Sequence, residues 1–330
     1  MLLPSHVEAL RCMMVERLWK DSMSIGPLPE LMSDIMAYTP EPTLTLDCPM
    51  EEILFAEKPA LAFAVGNVLH TISVKGKAIT LQARSIPGKE VILAESDDCT
   101  VTFYYDRDTS HLFVLYNSGG PTLLDYDVKA GKAHKTYKLP DLFSRPYWPS
   151  MMLVIDKHVF VGSEYCIISR SYTKYIDLLH VSLCGDINVI WRSPQPAELI
   201  GFHAVSKAPL MVDVVYKMDG KYTSVRLAMT RAACPMVFEE RRKNSIAANT
   251  ELLPGSGLHV ATSGTKGYIV NSQLKRMSED CSLPGRLTYT SCISADHDAF
   301  YLVASCTKYT RATSFSNTSY SVLCFYPYIN

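Results

Sequence analysis

Two patterns of hydrophobic and polar positions divide the chain. Over residues 1–42 the apolar positions recur at helical spacing: Val7, Leu10, Met14 and Leu18 make one stripe through HVEALRCMMVERLWK. Ser5 with Glu8 three positions later has the form of a capping box at its start. A second helix is predicted over LPELMSDIMAY, with Pro29 in its first turn, Leu31, Met32, Ile35 and Met36 on one side, and Pro40 as its stop. From Thr43 onward the texture changes to short β-branched and aromatic runs broken by Gly, Pro, Asp and Asn, which predicts strand after strand and no long helix.

These strands recur as hairpins: ALAFAVGNVLHTISV, TVTFYYDRDTSHLFVLYN, SMMLVIDKHVFVG, LIGFHAVSKAPLMVDVVY, LHVATSGTKGYIV and SCISADHDAFYLVAS. Taking Val68, Leu112, Val159, Leu210, Tyr268 and Phe300 as the first strong residue after each turn, the steps are 44, 47, 51, 58 and 32. Their mean, about 46, lies near the blade period of β-propellers, although the last two are irregular. Third strands are predicted at AITLQAR, PTLLDYDVKAGK, IDLLHVSLCGD, YTSVRLAMT and YSVLCFYPYIN, and outer strands at AHKTYKL, NVIWRS and PMVFEE. A four-stranded unit of this kind cannot cover its own apolar faces and must stack on neighbours in a closed ring.

The expected fold is therefore all-β: a six-bladed β-propeller over residues 43–330, with seven blades as the alternative, preceded by a short helical segment over 1–42. SVLCFYPYIN reads as a third strand, so the last blade needs an outer strand from elsewhere, and TLTLD (43–47) is free to supply it.

Charge narrows the partners: 32 basic against 33 acidic residues give a net charge of −1 and remove the broad pull toward nucleic-acid backbones. The longest apolar run is interrupted by Asn67 and His70, and MLLPSHVEALRC lacks a secretory core, so neither membrane nor export is expected. Ten cysteines without a C-x-x-C pair read as buried thiols in a cytoplasmic or nuclear protein. The lone sequon Asn317-Thr318-Ser319 matters only in a secreted protein.

The densest candidate chemistry is Asp106–His111 within YYDRDTSHLFVLYN. It occupies the turn between first and second strands, where DKH (156–158) and DHD (296–298) stand in other repeats, so a turn built on Asp and Ser side chains explains all three. Asp106, Asp108 and Ser110 also match the opening of a calcium loop, but His111 takes the place of its glycine and Asn117 that of its bidentate glutamate. No G-x-S-x-G elbow, phosphate loop or H-E-x-x-H motif occurs, so no catalytic residue, metal or cofactor is assigned. EERRKN, with Arg241, Arg242 and Lys243, reads as a solvated loop.

LPELMSDIMAYTPEPTL resembles the first helix of an F-box. The resemblance covers about seventeen residues, and the later Val-Cys and Trp of that family are missing. It implies docking onto a Skp1-type adaptor of a ubiquitin ligase through Leu28, Pro29, Leu31, Ile35 and Tyr38. A helical cap packed on the β domain explains the same residues. HLFVLYNSGGPTLLDYDVKAGK is similar to a kelch repeat through Gly119-Gly120 and Tyr126-Asp127. The expectation is a non-catalytic protein-interaction module, in its narrower form a ubiquitin-ligase substrate receptor. The alternatives are a propeller enzyme, such as a glycan hydrolase or lyase with carboxylates at the central channel, and a structural subunit of a larger complex.

Overall fold

The computed structural model describes residues 43–47 and most of 60–328, leaving out 66–67, 84–89, 99, 107–108, 142–146, 156–157, 170, 184–185, 208–209, 230–236, 244–245, 247–249, 254–257, 284–285, 297–298 and 309–316. The two helices expected within 1–42 lie outside the described residues, and among those residues there is no helix.

Among the described residues, twenty-four strands form six four-stranded sheets. Sheet I is β2 (Leu61–Val65), β3 (Val68–Lys75), β4 (Ala78–Ala83) and β5 (Glu90–Glu95), and sheet II is β6 (Thr102–Asp106), β7 (His111–Asn117), β8 (Pro121–Asp127) and β9 (Lys132–Lys138). Sheet III holds β10 (Tyr147–Ile155), β11 (His158–Ser169), β12 (Ser171–Val181) and β13 (Ile187–Arg192). Sheet IV holds β14 (Glu198–Lys207), β15 (Leu210–Met218), β16 (Lys221–Met229) and β17 (Val237–Lys243). Sheet V is β18 (Glu251–Leu253), β19 (Leu258–Ser263), β20 (Lys266–Asn271) and β21 (Cys281–Ser282). Sheet VI is β22 (Arg286–Asp296), β23 (Ala299–Lys308) and β24 (Asn317–Tyr328), completed by β1 (Thr43–Asp47). The expected closure is present: β1 runs antiparallel to β24 from Thr43 opposite Tyr328 to Asp47 opposite Cys324, and β22 packs beside β2.

The irregular repeat steps have a specific cause. LHVATSGTKGYIV forms the second and third strands of sheet V, not the first and second, because the first strand is the three-residue β18. A run that short carries almost no periodic signal. With the phase corrected, second strands begin at residues 68, 111, 158, 210, 258 and 299, in steps of 43, 47, 52, 48 and 41. β5 and β21 are likewise additions to the expected outer strands.

Burial runs inward. The central strand β8 is buried along six of its seven residues, whereas the outer β9 is exposed at all but Tyr137. A strand with sheets on both faces is covered on both sides, and an outermost strand on neither. One apolar cluster joins sheets II, III and IV through Leu115, Leu153, Val161, Leu178, Val214 and Tyr216. A second joins sheets I and II through Ile72, Ile79, Leu112 and Val114. A third, between IV and V, is built on Val215, Tyr222, Leu252, Ala261 and Val270. Turn chemistry follows the backbone: Asp219 and Gly220, with φ of 49° and 74°, join β15 to β16 as the Asp-Gly pair of a tight hairpin should.

Candidate functional site

The Asp106–His111 stretch joins β6 to β7, with Thr109 and Ser110 in the turn between them. Asp106 and His111 close the β6–β7 ladder, and Thr109 donates its hydroxyl proton to Asp106 Oδ2 at 3.0 Å. Ser110 is buried with φ of 61°, and its carbonyl accepts the Val128 N–H at 3.1 Å. Strand pairing adds a contact that local sequence does not show. The His111 Nδ1 lies 2.5 Å from Asp125 Oδ1, fourteen residues away on β8, and the His134 ring of β9 meets His111 edge-on with centroids 5.4 Å apart. The neighbouring Asp127 is held below the usual carboxylate range, chiefly by the Ala130 N–H, with His111 and Lys132 adding to the effect. Among the described residues no three His, Cys, Asp or Glu side chains are grouped so as to hold a metal ion.

The Gly119-Gly120 pair serves the opposite end of sheet II. Both glycines have positive φ, 58° and 121°, and the Gly119 N–H donates to Asp97 Oδ2 at 2.7 Å. Asn117 Nδ2 donates to Asp98 at 2.8 Å, so this turn is tied to the connection leaving sheet I. Leu28, Pro29, Leu31, Ile35 and Tyr38, the residues expected to contact an adaptor, lie outside the described residues.

The most concentrated buried chemistry is the seam between sheets IV and V. His203 on β14 and His259 on β19 approach with Nε2 atoms 3.1 Å apart and ring planes tilted by 59°. At that distance one Nε2 donates and the other accepts, so a single proton serves both facing nitrogens. Burial first, and His259 second, hold the His203 pKa well below that of an ordinary histidine. Gly201 makes room for the rings: a Cβ there would stand 2.5 Å from His203 Nε2 and 2.5 Å from His259 Cε1. Cross-strand from His203 lies Asp213, and opposite Asp213 lies Arg226, so β14, β15 and β16 place all three in one row.

Arg226 holds the buried Asp213 with two bonds, Nε to Oδ1 at 2.8 Å and Nη2 to Oδ2 at 2.9 Å. Sheet V adds Ser272, whose hydroxyl donates to Asp213 Oδ2 at 2.8 Å and whose carbonyl accepts from Ser224 Oγ at 2.7 Å. A further strut is the Leu252 N–H donating to Tyr222 Oη at 2.9 Å. Sheet III repeats the ion-pair device: Arg192 on β13 grips the fully buried Asp177 of β12 through two bonds of 2.6 Å. A buried carboxylate is costly unless its oxygens are paired and bonded, and these arginines meet that need with fork geometry. The arrangement locks strands to strands and sheet IV to sheet V, and it holds one exchangeable proton between two histidines.

The signal for these acids was present in sequence: an Asp inside an apolar run (LMVDVV, YIDLLH, TLLDYD), followed in the first two cases by an Arg within the next run. The histidine pair left no such trace, since its members are fifty-six residues apart.

No family profile matches the chain, and no curated protein does. Solved structures do. The chain is similar to a calcium-binding protein, regucalcin, from Agrobacterium tumefaciens, at 10% identity and a TM-score of 0.50, covering 86% of this chain and 98% of that one. It also resembles a protein of unknown function from Dyadobacter fermentans, at 8% identity and 0.49, covering 86% and 98%. A third likeness is to the β-propeller domain of Cps50 (Swd1) from Myceliophteria thermophila, at 8% identity and 0.46, covering 86% and 99%. At such identities likeness speaks to fold alone, and the fold is a β-propeller.

Proposed function

We propose that the chain is a non-catalytic protein-interaction module whose six sheets are the blades of one propeller. The observation that carries this reading is the use made of buried ionisable side chains in sheets III to V. Asp177 is gripped by Arg192, Asp213 by Arg226 and Ser272, and His203 by His259, all in contacts that join strands or blades. Such pairs spend charge on geometry, leaving recognition to the exposed edges and turns.

In its narrower form the module is a substrate receptor in the cytoplasm or nucleus, with the segment 28–38 docking onto a Skp1-type adaptor and the propeller holding the substrate. The test is gel filtration of the full chain with purified adaptor. Co-elution that is lost in a Leu31→Asp/Ile35→Asp variant, whose far-ultraviolet circular dichroism still reports an intact β domain, supports the receptor. Co-elution that survives both substitutions removes it.

A further inference from the structure

The outer strands of three successive sheets differ in a way that edge protection does not explain. β9 ends sheet II, and no described strand pairs with its outer side. It and the turn before it read KAGKAHKTYK, with Lys129, Lys132, Lys135, Lys138 and His134 and no acid in ten residues of a chain whose net charge is −1. All five of these side chains are exposed. Lysine on an edge strand deters unwanted pairing, but that role does not call for every charge in the stretch to be basic. Two other outer strands, β5 and β13, manage with less. β5 exposes Ile92 at 65%, and one of its two glutamates, Glu90, is bonded to Lys75. β13 exposes Val189 at 46%, and its single charge, Arg192, is committed to Asp177.

We propose that β9 is a docking edge for an acidic, extended peptide segment of a protein partner, which adds to sheet II as a further strand. This rests on the interaction-module reading and deepens it. Seven residues of β9 offer about 23 Å of main chain at strand rise, and edge addition supplies backbone bonds while flanking side chains select the sequence. The anions nearby only partly neutralise the strip: Asp127 lies opposite Lys132, and Asp125, opposite Lys135, is held by His111. Lys138 is committed to Ser118 O and Thr122 Oγ1 on the inner side of β9, whereas the Lys135 ammonium lies 4.7 Å over the Tyr137 ring of the strand itself. A single-stranded polynucleotide fits less well, because such ligands stack on successive aromatic faces. The strand offers two separated rings, Tyr137, half-buried beneath Lys135, and the His134 imidazole, turned edge-on to His111.

The probe is a fluorescently labelled ten-residue peptide alternating glutamate and valine, titrated onto the full chain by anisotropy at low and at physiological salt. Two N-methylated versions, each blocking one set of alternate backbone nitrogens, and a single-stranded oligonucleotide of equal charge run beside it. The peptide is expected to bind, to weaken at least tenfold against Lys132→Glu/Lys135→Glu, and to weaken at least tenfold in one N-methylated version. It should change less than twofold against Lys221→Glu/Lys266→Glu, an equal charge change at exposed sites elsewhere. The proposal is overturned if the peptide does not bind, if reversal at 132 and 135 changes affinity less than twofold, if both N-methylated versions bind as well as the parent, or if the oligonucleotide binds more tightly. Adaptor co-elution depends on residues 28–38, so its result stands apart from β9, and either idea can fail alone.

Discussion

Replacing Gly201 by alanine tests the histidine seam most directly. The added methyl would meet two ring atoms at 2.5 Å, against about 3.5–4.0 Å for an unstrained contact, so something must move by roughly 1 Å. His259 is fully buried and His203 is 5% exposed, so neither ring has open space to enter. Overpacking of this kind costs about 1–3 kcal/mol. Parting the rings to relieve it leaves a buried nitrogen without its hydrogen bond, at about 1–3 kcal/mol more. The φ of Gly201 is one that alanine adopts, which returns roughly 0.4–1 kcal/mol through the unfolded chain. The net expectation is a loss of about 2–4 kcal/mol, read as a lower urea midpoint at unchanged slope. In a His203→Ala/His259→Ala background the same methyl enters vacated space, and its cost should vanish. A loss below about 0.5 kcal/mol in the wild-type background, or an equal loss in both, would refute the close approach as the reason for glycine here.

Three other outcomes follow from the same geometry. His203 has a folded pKa below its unfolded value near 6.5, so below that pH the unfolded chain binds the extra proton. Stability is then full above the unfolded pKa and falls as pH drops toward the folded one, by up to about 1.4 kcal/mol per pH unit. The difference between wild type and His203→Gln in urea melts at pH 7.5 and 5.5 isolates this slope, and equal slopes would exclude it. Asp213→Asn leaves Arg226 facing a neutral amide in the seam and should cost about 3–5 kcal/mol, against about 1 kcal/mol for Ser272→Ala, each measured by thermal or urea unfolding. A chain begun at residue 48 lacks β1 and leaves β24 as an open edge. It should unfold at lower urea than the full chain and self-associate on sedimentation, and a monomer of unchanged stability would count against closure by β1.

Legibility in sequence followed the range of each interaction. Hairpins, third strands and the pairing of 43–47 with the last strand were readable, because period-two apolar runs bounded by turn residues need no distant information. Sheet V was read out of phase, because β18 has three residues and β21 two, too few to show a period. The Asp106–His111 turn was recognised from its Asp and Ser content. That His111 would find Asp125, and His134 beyond it, depended on the register across β7, β8 and β9.

Alternation and turn chemistry act within a few residues, and so the repeated strand groups from residue 43 onward, and the segment that completes the last of them, were legible without tertiary information. Tertiary structure alone decided that His203 and His259 would share a proton, that Gly201 would have to remain side-chain-free, and that Asp213 would be gripped from sheet IV and by Ser272 of sheet V. Those contacts lie between sheets and span dozens of residues. Their partners are chosen by how neighbouring blades pack, which no local pattern encodes.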